Sequence, residues 1–312
     1  IMANYLVTGG AGFIGSHLVD TLIQDNHQVT ILDDLSTGKR ENVNPKAKLV
    51  IGDIRDSQLV KECIRGKSGC FHLAAVASVQ QSVTQWQYTH EVNSTGTVNI
   101  LDAAAKVNAT AIPVVYASSA AVYGDNDDIP LKECAAVNPL SAYGADKLSC
   151  EHHARVAGVV HQVPTMGFRF FNVFGPRQDP SSPYSGVISI FAERVKKNQS
   201  LTIFGDGEQT RDFVFVADVV AHLIAGMSQA DITAKVFNVC SGKSTTINQL
   251  AKIIYRIAGK PSQINYQKAR TGDIKISLGD PESAISALNV RAEKPVEEGL
   301  CITLRTSFEV AA

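Results

Sequence analysis

The segment VTGGAGFIGSHL restricts the fold more than any other stretch. Gly9, Gly12 and Gly15 directly follow an apolar strand-like run, YLVTG, and open a helix near Phe13. Glycine at such a junction permits a tight turn and lets backbone N–H groups approach a pyrophosphate at the positive end of the helix. Asp33 ends the next apolar run, QVTILDD. A carboxylate about 20 residues past the glycines accepts hydrogen bonds from adenosine ribose hydroxyls and repels a 2'-phosphate, so the spacing favours NAD over NADP. Lys39 and Arg40 follow, and read either as receptors for such a phosphate or as solvated loop charges.

The same alternation continues. AKLVIGD precedes a helix near Ser57 to Arg65, GCFHLAA precedes helical Val92 to Val107, and IPVVYASS precedes a helix from Ser141 to Gly158, with TMGFRFFNV beyond it. Strands alternating with helices predict a doubly wound α/β fold, a parallel sheet covered on both faces. After Arg169 the texture changes to a Pro/Ser/Gly-rich loop, a helix near Val187 to Lys197 and the segment LTIFGDGEQTRDF. The expected organisation is a nucleotide-binding domain over 2–168, completed by 213–239, and a smaller α/β substrate-binding domain over 169–212 and 240–312. Later helices are expected at Ile247 to Ile257 and Val296 to Phe308.

With 312 residues, 45% hydrophobic and 19% charged, the chain has ample material for a core. Its 29 basic and 30 acidic residues leave a net charge of -1, which gives no bulk attraction to nucleic acid or a membrane surface. No apolar run approaches the roughly 20 residues that span a bilayer, and the start lacks a signal-peptide pattern, so the expected location is cytoplasmic. Six scattered cysteines, without CxxC or other metal-type spacing, read as small buried hydrophobes, and no metal site is expected.

A second motif carries chemistry. In AYGADK, Tyr143 and Lys147 stand four residues apart on a helix, hence on one face. A protonated lysine beside a phenol favours phenolate, the form a general base for a sugar or alcohol hydroxyl needs. The pair follows a strand ending in Ser118 and Ser119, and the doubly wound fold gathers ligands outside the carboxyl ends of its strands. His72, in HLAA, is assigned no chemistry, because a strand-end histidine is more often held by its neighbours.

At this point the chain resembles the extended short-chain dehydrogenase/reductase family, and within it the nucleotide-sugar epimerases. The likeness rests on TGGAGFIG, GDIRD, HLAA, NSTGTVNIL, YASSAAVYG, NPLSAYGADK, RFFNVFGPRQDP and FGDGEQTRDFVFVADV. It implies a Rossmann domain, NAD as cofactor and a catalytic set of Ser119, Tyr143 and Lys147. Gly9, Gly12, Phe13, Ile14 and Gly15 are expected at the cofactor, with Asp33, Asp34, Ser36, Thr37 and Gly38, then Asp53, Ile54, Leu73, Ala74 and Ala75, and Tyr143 and Lys147 themselves. For the nucleotide sugar, the resemblance implies Asn172 at the diphosphate, Arg211 and Arg270 at phosphate or ribose, and Val187, Thr202 and Phe204 at uracil, with Ser78, Ser118, Ser119, Asp273 and Ser277 also in contact. Ser118 reads either as a substrate ligand or as a strand end, and Arg211 either as a phosphate grip or as a partner of Asp212 or Asp206.

Dehydratases that resemble this chain carry an acidic pair after the catalytic hydroxyl, and decarboxylases a glutamate at the second place. Ala120 and Ala121 stand there instead and neither titrates, which leaves reversible oxidation at C4, an epimerisation. A small Ser277, where relatives restricted to plain hexoses have tyrosine, leaves room for a 2-acetamido group. The expected reaction interconverts UDP-N-acetylglucosamine and UDP-N-acetylgalactosamine, and the glucose pair. A UDP-glucuronate 4-epimerase and a non-catalytic NAD-binding regulator are the alternatives. The resemblance also implies a homodimer paired through helices near Thr95 to Val107 and Leu148 to Val159. Gln85 and Trp86 replace a proline common in relatives; Trp86 reads as a packing residue or a subunit contact.

Overall fold

Strand and helix alternate from the outset of the computed structural model, which describes residues 2–179, 186–269 and 274–309. β1 (Asn4–Thr8) leads to α1 (Phe13–Gln24), β2 (Gln28–Asp33), β3 (Lys48–Ile51), α2 (Ser57–Ile64) and β4 (Gly69–His72). Three helices follow, α3 (Val79–Thr84), α4 (Trp86–His90) and α5 (Gly96–Lys106), then β5 (Val114–Ser119), α6 (Ala142–His161) and β6 (Thr165–Phe170). Next come β7 (Asn172–Phe174), α7 (Val187–Lys196), β8 (Leu201–Phe204), β9 (Thr210–Phe215), α8 (Val216–Gln229) and β10 (Lys235–Val239). The chain closes with β11 (Ser244–Thr246), α9 (Ile247–Ala258), β12 (Ile264–Gln267), β13 (Ile276–Ser277), α10 (Glu282–Leu288) and α11 (Val296–Glu309).

Seven strands form one parallel sheet in the order β10-β6-β5-β4-β1-β2-β3. Successive residues of a strand face opposite sides, and here both sides are apolar. Leu6, Leu32, Cys70 and Val114 enter a layer with Val60 and Ile64 of α2 and Ile100 and Ala104 of α5. Their neighbours Val7, Ile31, Phe71 and Val115 enter the opposite layer, with Leu18 and Leu22 of α1 and Val219 and Leu223 of α8. Two buried faces explain why these runs read as continuous Val, Ile and Leu. Strand order reverses between β1 and β4, and that switch point opens the crevice where such sheets bind ligands.

A second layer forms beyond β6. β9 pairs with β7, β11 and β13, and β8 pairs with β12. Phe174, Phe191, Leu201, Ile203, Phe213, Leu250, Ile254 and Leu300 pack into its core. α9 is started by a reciprocal cap, Thr246 Oγ1 accepting from Gln249 N at 3.0 Å and Gln249 Oε1 from Thr246 N at 2.9 Å.

The helix expected from Val92 begins earlier, at Trp86, and passes through a widened π turn over Glu91–Thr95. Buried Asn93 explains its use: the side chain holds Val76 N at 2.8 Å and Val76 O at 3.1 Å, while its carbonyl accepts from Thr97 Oγ1 at 2.6 Å. Periodicity did not reveal this turn, nor the short helices α3 and α10. Among the described residues, no helix is long and apolar enough to cross a membrane.

Candidate active site

One cavity runs along the carboxyl ends of β1, β2, β4 and β5. Gly9, at φ +70°, makes the turn after β1, and a Cβ there would lie 2.7 Å from Ala74 N. A Cβ on Gly15 would stand 2.1 Å from Gly9 O. Only glycine lets strand, turn and helix approach this closely. α1 starts at Gly12 without a side-chain cap or an acidic residue in its first turn, so its positive end is left to a ligand.

Asp33 lines the cavity at the end of β2, its Oδ2 accepting from Ala11 N and its Oδ1 from Leu35 N, both at 2.9 Å. Burial raises its pKa and these two bonds oppose the rise. Gly38 lies against it, since a Cβ there would meet Asp33 Oδ1 at 2.6 Å, but Gly38 does not line the cavity. Asp34 accepts from Ser36 N and Oγ. Asp53 is gripped by Arg55, with Nη2 at 2.6 Å and Nε at 2.9 Å, and this hydrogen bonding lowers its pKa. Lys39 pairs with Asp179 at 3.4 Å, with its side chain still 42% exposed, in keeping with a solvated loop charge.

Phe13, Ile14, Asp34, Ser36, Thr37, Ile54, Leu73, Ala74, Ala75, Tyr143 and Lys147 join Gly9, Gly12, Gly15, Asp33 and Asp53 in the lining. Sequence reasoning missed Tyr88, Val92, Ala117 and Phe170, also in the lining. Tyr88 carries the Arg55 guanidinium 5.0 Å above its ring. Its signal was a second aromatic two residues after Trp86 in the short helix WQYTH, a spacing that helical periodicity does not single out.

His72 lies beneath this floor as a structural residue. Thr97 Oγ1 donates to Asn93 O and so accepts from His72 Nε2 at 2.9 Å; Thr8 Oγ1, which accepts from Leu73 N and Ala74 N, donates to His72 Nδ1 at 2.8 Å. Both ring nitrogens are used by a neutral ring. Burial, aided by the Lys147 charge, drives its pKa down to about 3.

A second cavity adjoins the first, and Phe170 lines both. It is lined by Ser119, Ala120, Ala121, Gly124, Leu131, Phe171, Asn172, Arg211, Ile274, Ile276 and Ser277. Ser119 ends β5, and its Oγ accepts from Ala121 N at 3.1 Å. Tyr143 and Lys147 rise from the first turns of α6, which is capped by Ser141 Oγ on Gly144 N at 3.1 Å. The Lys147 Nζ sits 5.8 Å from the Tyr143 ring centre and donates to Ala117 O at 2.9 Å. The strand-end serine thus lines the second cavity and the phenol and ammonium the first, the two sharing Phe170 as a wall.

Asn172 Nδ2 donates to Asp212 O at 3.3 Å. Arg211 Nη1 donates to Thr210 O and Ile274 O, while the Asp212 carboxylate is taken by Ser241 and Gly242. Ser277 lies beside Arg211 in the β13–β9 register. Other expected contacts stand elsewhere. Ser118 lines the first cavity and not the second, and its hydroxyl donates to Glu151 at 2.5 Å, because it faces the opposite side of β5 from Ser119. Ser78 caps α3 through Gln81 N, outside both linings. Val187 on α7, and Thr202 and Phe204 on β8, also lie outside both linings. Arg270 and Asp273 lie outside the described residues.

Comparison with known proteins agrees with this geometry. Residues 5–240 match the family described as NAD dependent epimerase/dehydratase. The chain is 41% identical to a putative UDP-glucose 4-epimerase of Methanocaldococcus jannaschii, over 95% of each chain. A Thermotoga maritima UDP-glucose 4-epimerase solved with UDP-glucose superposes with a TM-score of 0.95 at 35% identity, covering 99% of this chain and 100% of that one. A UDP-N-acetylglucosamine 4-epimerase from Methanobrevibacter ruminantium, solved with UDP-N-acetylmuramic acid, gives 0.94 at 37%, over 99% of each. The glycine cradle, the uncapped helix start and the Asp33 carboxylate fit the cofactor that gives the family its name. The chain belongs to the NAD-dependent epimerase/dehydratase family, on the extended short-chain dehydrogenase/reductase fold.

Proposed function

We propose that the protein is a UDP-sugar 4-epimerase that interconverts UDP-N-acetylglucosamine and UDP-N-acetylgalactosamine, with the UDP-glucose and UDP-galactose pair as further substrates. The observation that carries the reaction type is the pair Ala120 and Ala121 in the second cavity beside Ser119. Neither can move a proton for loss of water, so the chemistry stops at oxidation and re-reduction. The names of the relatives support the UDP-sugar class, and the small Ser277 in the lining supports the acetamido sugar.

When bound, NAD supplies the acceptor and donor of the C4 hydride. Tyr143 takes the proton of the 4-hydroxyl and gives it back, Ser119 holds that hydroxyl in line, and Lys147 favours the phenolate. Asn172 and Arg211 hold the diphosphate, a guanidinium fork suiting its oxygens. Ala120, Ala121, Leu131 and Ile276 make much of the wall apolar. Such a wall offers a 4-keto sugar few polar anchors, so it turns over while its nucleotide stays fixed.

The test is C4 inversion followed by NMR, without added NAD, on UDP-N-acetylglucosamine, UDP-glucose and UDP-glucuronate separately. Turnover of the first, with slower turnover of the second, is expected. Turnover of glucuronate alone would reject the substrate assignment, and inertness toward all three would favour a non-catalytic role.

We further infer a homodimer through α5 and α6. Val98, Val156, Val159 and Val160 are exposed there, and Val83 and Trp86 beside them are each 70% exposed, so Trp86 is no packing residue within one chain. Apolar side chains gathered on neighbouring helices suit a second copy. Light scattering should give a dimer for the wild type and a monomer for Val159→Glu; a wild-type monomer would reject it.

A further inference from the structure

Tyr143, Lys147 and Glu151 recur every fourth residue along one face of α6. The first two serve the site described above, whereas Glu151 lines neither cavity and is buried. It accepts from Ser118 Oγ at 2.5 Å and is held by Arg169 through Nε at 2.9 Å and Nη2 at 2.7 Å. Arg169 is the β6 partner of Ser118 across the sheet. Its guanidinium also lies 4.8 Å from the centre of the Tyr123 ring, whose hydroxyl donates to Asn238 Oδ1 at 2.7 Å. Ser118 precedes Ser119 and Tyr123 ends the turn after it, so one buried cluster grips the serine segment on both flanks. A buried ion pair adds little net stability over apolar packing, which leaves orientation as the physical reason to keep one here.

We propose that Glu151, anchored by Arg169, is a positioning residue for Ser119. By holding the Ser118 hydroxyl on the α6 side of β5, it turns the next side chain of the strand into the sugar cavity. Lys147 makes the parallel grip one residue earlier, on Ala117 O. Tyr143 and Ser119 are therefore set against each other by the same helix face and the same strand end. The inference rests on Ser119 acting in the proposed epimerisation.

Ser118→Ala removes the grip and leaves the Glu151–Arg169 pair whole. Its kcat should fall on the order of 10- to 100-fold, the scale of a misplaced reacting group. KM for the UDP-sugar and calorimetric affinity for UDP should stay within about twofold, the sign of a loss in orientation rather than binding. Melting temperature and NAD content should match the wild type, and a crystal structure of the variant should show Ser119 Oγ displaced. Glu151→Gln in the Ser118→Ala background should add less than it costs alone, because the two act through one contact. Unchanged kcat in Ser118→Ala overturns the proposal, as does a loss matched by lower melting temperature, which marks a packing role, or by lost NAD, which marks a cofactor contact, since Ser118 lines the first cavity. Ser119→Ala separates the layers: if it too is fully active, the catalytic reading fails; if it is inactive while Ser118→Ala is unaffected, only the positioning role fails.

Discussion

The two cavities that meet at Phe170 are built on different principles. Around the first, recognition is largely backbone: Gly9, Gly12 and Gly15 stand within one turn, and Asp33 follows in the next strand. Around the second it is side chain, brought from stretches near 119–124, 131, 170–172, 211 and 274–277. A cofactor common to a family can be held by close backbone approach, which only glycine permits. A sugar nucleotide must be told apart by side chains, and these can come from anywhere the fold brings close. Damage to the first region should therefore appear as lost cofactor, and damage to the second as altered choice of sugar.

The seam is where a single substitution costs most. Tyr143→Phe keeps the ring and removes the proposed proton carrier, so kcat should fall on the order of 1000-fold, within the range of acid–base catalysis. NMR turnover with retained NAD and UDP binding checks it, and wild-type rates would remove Tyr143 from the reaction. Within the sugar region, Ser277→Tyr should lower kcat/KM for UDP-N-acetylglucosamine on the order of 100-fold while sparing UDP-glucose, by filling the acetamido space. Equal losses on both sugars would place the acetyl group elsewhere. Within the cofactor region, Gly9→Ala forces a left-handed alanine, at about 1–2 kcal/mol, and drives a Cβ onto Ala74 N. Bound NAD should drop roughly tenfold for that cost, with the ratio of rates on the two sugars unchanged; a shifted ratio would break the division between the regions.

The same division explains what could be read from sequence. Strand ends, glycine turn and Asp33 are local patterns, and Tyr143 with Lys147 is a helical spacing, so the lining of the first cavity and the proximity of that pair were legible. Phe170 at the seam, Leu131 reaching in from a loop, and Ser277 set beside Arg211 depend on pairings such as β9 with β13, which link residues 66 apart. No local propensity encodes those registers. Ser118 shows the finer limit. Two adjacent serines look alike in sequence, but strand alternation sends one to Glu151 beside the first cavity and the other into the second.

Acid should separate the regions once more, by a smaller effect. Each side buries a carboxylate, Asp33 or Asp212, whose pKa burial raises; as pH falls through those raised values the folded state takes up protons first and gains stability. The difference lies in histidine. All eight histidines precede Cys240 and none falls in residues 169–212, so the second cavity's layer has none. Burial lowers the pKa of His17, His72 and His222. For His72 the fall runs from 6.5 to about 3. Between those values the unfolded chain binds a proton that the fold refuses, so stability declines as pH falls from 6.5 towards 3, by roughly 1.4 kcal/mol per pH unit for that one group. Above 6.5 the term is constant and fully present. Hydrogen exchange at about pH 5 should therefore show β1, β4 and α5 opening before β9 and α9. His72→Asn should flatten the dependence of melting temperature on pH below 6.5, whatever its cost at neutrality. An unchanged slope in that variant would mean that the ring is already protonated in the fold, and that Thr8 and Thr97 do not hold it neutral.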